Sequence, residues 1–219
     1  MMLRPLILSI ALFPALAMAE EACGPLTNAY GPFDYRTGKA RLAIVEAYHF
    51  TREVETLRSG ATGTLGGDLD YTLRASPNHH RALNSMTNLA LREHTAKPRG
   101  AHFTIECYFD RARRFAPDDG TVLIIEGIYL DRIGHKADAV RVLEEAKKFE
   151  PANANLYYNL GLVYFDTGDY ANSLKNAQRA YSLGAVLPGL RNKLQRVNRW
   201  SEPSADDSAA ATSPSTPRQ

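Results

Sequence analysis

Small and apolar positions in the second half of the chain recur at a fixed interval. Leu123, Gly127, Leu130, Gly134, Ala139, Leu143, Ala146 and Pro151 are echoed by Tyr157, Gly161, Tyr164, Gly168, Ser173, Ala177, Ala180 and Ala185, each 34 residues on. A period of this size predicts stacked supersecondary units, each a helix–turn–helix pair that buries its apolar face against its neighbours. Gly and Ala let helices approach closely, large apolar residues fill the grooves between them, and Pro stops the second helix. Helices dominate the pattern, and few runs alternate at period two.

Prolines carry the register upstream. Pro117 lies 34 residues before Pro151, and Pro77 lies 40 before Pro117. The residues between Pro77 and Pro117 therefore read as a third, divergent unit. Its first helix carries Leu83, Met86 and Ala90, and its second carries Ile105, Phe109 and Ala112. About six extra residues fit the turn-rich Lys97-Pro98-Arg99-Gly100. The segments from His49 and His102 both place a Thr, Thr51 or Thr104, where it caps a helix, with Glu53 or Glu106 in the first turn. A fourth, degenerate unit from residue 44 to Pro77 is one reading of the first segment, with Asp68 to Arg74 as the end of a partial helix. Downstream, Pro188 suits the first position of a helix, and Leu190, Leu194 and Val197 share one face among basic residues. That is the pattern of a capping helix over the last unit; its basic face also fits a membrane surface.

The second copy resembles the tetratricopeptide repeat (TPR) signature W-x2-L-G-x2-Y. Tyr157 stands for the Trp, and Leu160, Gly161 and Tyr164 match; Ser173, Ala177 and Ala180 hold the small positions of the second helix. The first copy matches at Gly127, Ala139, Ala146 and Pro151, with Glu126 where Leu is wanted. The resemblance covers residues 78–187 and is strongest over 118–187. It implies an all-α, TPR-like helix-turn-helix solenoid with repeats at about 78–117, 118–151 and 152–187 and a cap at 188–200. The helical domain is placed at 44–200, and an extended arm, turn-rich and aromatic around Tyr30 to Tyr35, at 20–43.

The ends carry separate information. Met1 to Ala19 has Arg4, an apolar run from Leu6 to Leu16, and Ala17-Met18-Ala19. This is the form of a secretory signal peptide with an A-x-A cleavage site, too short and too interrupted by proline for a membrane span. Glu21 occupies a position where a lipobox needs a small residue. The expectation is a soluble protein in the periplasm of a Gram-negative type of cell, without a lipid anchor or integral membrane segment. Residues 201–219 lack Leu, Ile, Val and aromatic residues and are expected to be a disordered tail. With 26 basic and 24 acidic residues, loss of Arg4 takes the net charge from +2 to +1. No nucleic-acid or polyanion partner is implied.

Cys23 and Cys107 make an even count, which in an oxidising compartment favours a disulfide joining the arm to the divergent unit; the alternative is a buried Cys107 and a free Cys23. Other chemistry is sparse. His79 and His80 are adjacent and so point apart, and no histidine has a ligand partner at helical spacing, so helix-start and surface histidines are expected, with no metal. No nucleophile, zinc or phosphate-loop motif occurs, no cofactor is implied, and the chain is not expected to be an enzyme. Gly60 to Gly67 lacks the Lys-Ser/Thr of a phosphate loop and reads as a flexible connector.

In TPR-like stacks the first helix of each repeat lines a groove. The resemblance places Arg81, Asn84, Asn88 and Arg92, then Ile124 and Ile128, then Tyr158, Asn159, Leu162 and Phe165, along that groove. It would be polar and basic at one end and apolar at the other, and would suit a peptide or helix. The arm, with Tyr30, Phe33 and Tyr35, could equally cover it. The carboxylate-clamp pattern of some TPR domains is not met, because Asn84 and Ile125 stand where Lys and Asn would be wanted. The functional expectation is an exported scaffold or adaptor for a protein or peptide partner in the cell envelope, similar to exported, periplasmic bacterial TPR proteins, a group with no established activity to carry over. Alternatives are an assembly factor for pili or secretion pores, or a regulatory subunit of an envelope enzyme.

Overall fold

The structure is a computed structural model that describes residues 23–202. The signal segment 1–19 and all but the first two residues of the expected tail lie outside the described residues. Ten α-helices and no strand occur among the described residues. In chain order they are α1 (Lys39–His49), α2 (Arg52–Glu55), α3 (Leu65–Ala75), α4 (His80–Glu93), α5 (Ile105–Phe115), α6 (Gly120–Arg132), α7 (Lys136–Ala146), α8 (Ala154–Asp166), α9 (Tyr170–Ser182) and α10 (Gly189–Arg196). The fold is an all-α, TPR-like solenoid.

The sequence echo is repeated in the hydrogen bonds. The α6–α7 turn closes with His135 N–H donating to Leu130 O, and the α8–α9 turn with Asp169 N–H donating to Tyr164 O, both at 2.9 Å. Each turn has a glycine at positive φ, Gly134 at 87° and Gly168 at 81°, where a Cβ would be strained. The divergent unit makes the same closure, Thr95 N–H to Ala90 O, with left-handed His94 in place of glycine. The next helix then starts only at Ile105, after the insertion that holds Lys97 to Gly100. Thr104 caps α5 and Thr51 caps α2, each accepting from a backbone N–H three residues on.

The core is segmental, as stacking of units requires. Leu69, Leu73, Met86, Ile105, Tyr108 and Phe109 anchor a first cluster. Leu123, Val142, Leu143, Leu156 and Leu160 form a second, and Tyr158, Ala177, Ala180, Leu190 and Leu194 a third. The first helices α4, α6 and α8 pack side by side, and α10 continues the row. Gly127 lies against Leu143, whose Cγ would sit 2.5 Å from an added Cβ. At the equivalent Gly161 the counterpart of Leu143 is Ala177, and the space is taken by Leu190 of α10, 2.6 Å from an added Cβ. The glycine thus admits the cap as well as the second helix of its own repeat.

Several boundaries differ from expectation. α1 starts at Lys39, inside the segment read as arm, because Leu42 and Val45 form a buried helical face over α3. α1 packs on α3 in the region read as a fourth unit from residue 44 to Pro77, and the arm ahead of α1 is residues 24–38. The Gly60–Gly67 connector is organised by buried Asp68: Oδ2 accepts from Ala61 N–H (2.8 Å) and Thr62 N–H (3.1 Å), and Oδ1 from the Thr62 hydroxyl. Pro188 is the N-cap of α10 and not its first residue, and Val197 falls beyond the helix and is exposed.

The arm is fastened at both ends. A disulfide joins Cys23 to Cys107 on α5, with Cα atoms 5.1 Å apart. Buried Arg111 donates to the carbonyls of Cys23 (3.0 Å) and Pro25 (2.7 Å) and lies over the Phe103 ring. Further on, Phe33 N–H donates to Ala75 O (2.9 Å), and the Tyr35 ring packs on His79.

Candidate functional site

The row of first helices decides which groove residues remain open. On α4, Asn84 is exposed and Asn88 half-buried. Asn88 accepts a 2.7 Å hydrogen bond from Arg132 on α6, so the two helices meet across a polar rim. Ile128 on α6 is half-buried against the second core cluster and supplies an apolar strip beside that rim. Asn159 on α8 donates to Asn155 one turn earlier. At the C-terminal ends of α4 and α6 a cleft of about 400 Å³ opens between Leu91, His94, Tyr129, Arg132 and Ile133.

The remaining expected groove residues are not free to line it. Arg81 is exposed but forms an ion pair with Glu55, and Arg92 donates to Leu57 O at 2.6 Å. Both hold the α2 segment against α4. Ile124 is 3% exposed and belongs to the second core cluster. Tyr158 is 8% exposed because α10 lies over it, and its hydroxyl accepts from Leu190 N–H (3.2 Å). Leu162 and Phe165 pack in the same cluster, and the Lys193 ammonium sits over the Phe165 ring. The apolar end of the expected groove is therefore filled by the cap. The resemblance placed Tyr158, Leu162 and Phe165 along a groove, whereas in the structure they lie under α10, which occupies the next first-helix position.

The arm does not fill the open part. Its polar and ring contacts go to α5, to α1 and α3, to the start of α4 and to the turn before α6. Asn78 links Asp34 (2.9 Å) to Asp119 (2.8 Å), and Arg36 bridges Asp34 and Asp118. Arg36 holds the Asp34 carboxyl well below the usual carboxylate range.

One histidine departs from the expected helix-start and surface positions. His79 is a helix-start residue but completely buried. Its Nδ1 accepts from Ala82 N–H, which leaves Nε2–H to donate to Glu46 at 2.9 Å. Burial pushes its pKa down to about 4 against the opposing pull of Glu46. His80 pairs with Asp119 (2.8 Å), His49 with Asp68 (3.0 Å) and His102 with Asp70 (2.7 Å). The carboxylates lie between 19 and 39 residues away in sequence, so no local spacing announces them. Asp70 also accepts from the Tyr108 hydroxyl and Arg74, and burial beside this carboxylate pushes the phenol pKa well up. The pairs of His79, His80 and His102 tie separate units together, and His49–Asp68 joins α1 to α3. Among the described residues no group of three His, Cys, Asp or Glu side chains could hold a metal ion, and no helix is long and apolar enough to cross a membrane.

Residues 137–168 match the family model described as TPR repeat. The match runs through α7 and its turn into α8, the second helix of one unit and the first of the next. The chain contains a TPR repeat, in the stretch where the sequence echo is strongest. No curated protein matches the chain.

Proposed function

Proceeding from a chain that contains a TPR repeat, we propose that it is an exported scaffold or adaptor that holds a polypeptide partner in the periplasm and carries no catalysis of its own. The observation that carries this reading is the open α4–α6 face. Asn84, Asn88 and Arg132 stand beside Ile128, and the cleft at Leu91 and Tyr129 lies at one end. Carboxamides both donate and accept, so they match the main-chain amides of an extended segment, while Ile128 and the cleft take its apolar side chains. The Ala17-Met18-Ala19 segment and the Cys23–Cys107 disulfide support export to an oxidising compartment.

The test is partner capture from periplasmic extract after cross-linking in cells. Asn84→Ala with Asn88→Ala should lose the partner at unchanged helical content. Retention of every captured partner by this variant would refute the reading.

A further inference from the structure

The loop between α9 and α10 presents two adjacent aliphatic side chains to solvent. Val186 is 88% and Leu187 57% exposed. Contacts join this tip to a cluster of rings. The Tyr181 hydroxyl donates to Leu187 O (2.8 Å) and accepts from the Arg191 main-chain N–H (3.1 Å). The Tyr181 and Trp200 rings meet edge to face, 5.7 Å between centroids. The Arg191 guanidinium lies over both rings, 4.8 and 4.6 Å from their centroids. Its Nε is buried without a partner, and no carboxylate among the described residues pairs with it. The charge around this cluster has one sign. Residues 170–201 hold six Lys and Arg and no Asp or Glu. Lys193 is taken up by Asp166 at 2.9 Å, whereas Arg196 and Arg199 are exposed and without a carboxylate among the described residues. Glu202, which accepts from Trp200 Nε1–H, is the one described acidic residue that follows.

We propose that this end of the solenoid docks on an anionic phospholipid bilayer. Val186 and Leu187 enter the boundary between headgroups and acyl chains, Tyr181 and Trp200 sit at headgroup depth, and Arg191, Arg196 and Arg199 meet lipid phosphates. Shape favours a bilayer over a folded partner. A side chain as exposed as Val186 stands proud of the surface, so a folded partner needs a matching hollow, whereas headgroups part around it. Arg191 is held flat by its two rings, with hydrogen-bonding capacity that the protein does not use and a phosphate would. Two aliphatic side chains and three guanidiniums make a reversible, salt-sensitive contact and not an anchor. This inference rests on α9, α10 and their flanks and does not depend on the proposed groove.

Trp200 is the single tryptophan of the chain and belongs to the cluster, so its fluorescence reports the contact. Protein without residues 1–19, which lie outside the described residues, is titrated with vesicles of equal parts phosphatidylglycerol and phosphatidylcholine. The expected result is co-sedimentation with the vesicles and a blue shift of Trp200 emission. Vesicles of phosphatidylcholine alone, or a rise from about 0.05 to 0.5 M salt, should weaken binding at least about tenfold. Val186→Ser with Leu187→Ser should weaken it at least about tenfold at unchanged circular dichroism. Arg196→Gln with Arg199→Gln should weaken it about 10–30-fold. Ile44→Ser with Tyr48→Ser, at the other end of the solenoid, should leave it unchanged. No binding to the mixed vesicles, binding that survives both C-terminal double substitutions, loss through the Ile44 and Tyr48 pair instead, or the same emission shift with soluble polyglutamate each overturns the proposal.

Discussion

The two halves of this solenoid reach the same architecture by different means. From α6 to α10, helices are joined by apolar contacts at glycines 34 residues apart, Gly127 against Leu143 within one repeat and Gly161 against Leu190 of the cap. From the arm to the start of α6, segments are joined by a disulfide, a buried arginine clamp and four histidine–carboxylate pairs. The regular half has its groove filled by its own cap. The irregular half leaves the α4–α6 face open. The regular end is thus closed by its cap, and the open surface on which the proposed function rests lies where α4 of the divergent unit meets α6.

Breaking the irregular half should have the largest effect. Cys23→Ala with Cys107→Ala removes a cross-link between residues 84 apart and should cost about 2–4 kcal/mol. Hydrogen exchange should rise first in residues 23–38 and around α5, while α8 and α9 stay protected. Equal deprotection of both halves would mean they form one cooperative unit. Alkylation of protein recovered from cells, followed by mass measurement, should find no free thiol.

Breaking the regular half should cost somewhat less. Gly161→Leu drives a side chain into Leu190 and the Ser173 carbonyl and should destabilise by about 1–3 kcal/mol. Exchange should rise in α10 and α9. An unchanged melting temperature would contradict the close contact of the cap.

These two predictions also mark what was legible in the chain. The period exposed helix pairs, turns and small contact positions, because each is a local consequence of residue type. Thr51 and Thr104 declared their helix starts for the same reason. The start of α1 was masked by aromatic, turn-rich neighbours, and the buried role of His79 by a partner 33 residues away. Tyr158 and Phe165 lie on the predicted helix face, but α10 covers that face, and only the packed structure shows it.

A finer contrast concerns pH. His79 is neutral when folded, with a pKa of about 4, whereas an exposed histidine takes up its proton near 6.5. The unfolded chain therefore binds the extra proton first. Its contribution to stability is complete above 6.5 and is lost as pH falls from there to about 4. Denaturant titrations across this window should show the loss, and His79→Asn should flatten it while retaining a side-chain cap. A wild-type profile flat over the window would contradict the buried neutral imidazole. At the small end, Asn84→Ala should change stability by no more than about 0.5 kcal/mol, since the residue is exposed.

The most direct test of the account compares the two groove regions for contact with a partner. A photo-reactive residue placed at Asn84 on the open face, and separately at Leu162 under the cap, would be irradiated in cells and the adducts resolved by mass. The account predicts an adduct with another polypeptide from position 84 and, from position 162, only internal links to α10. Adducts with a partner from position 162 and none from position 84 would contradict it and return the binding surface to the apolar end.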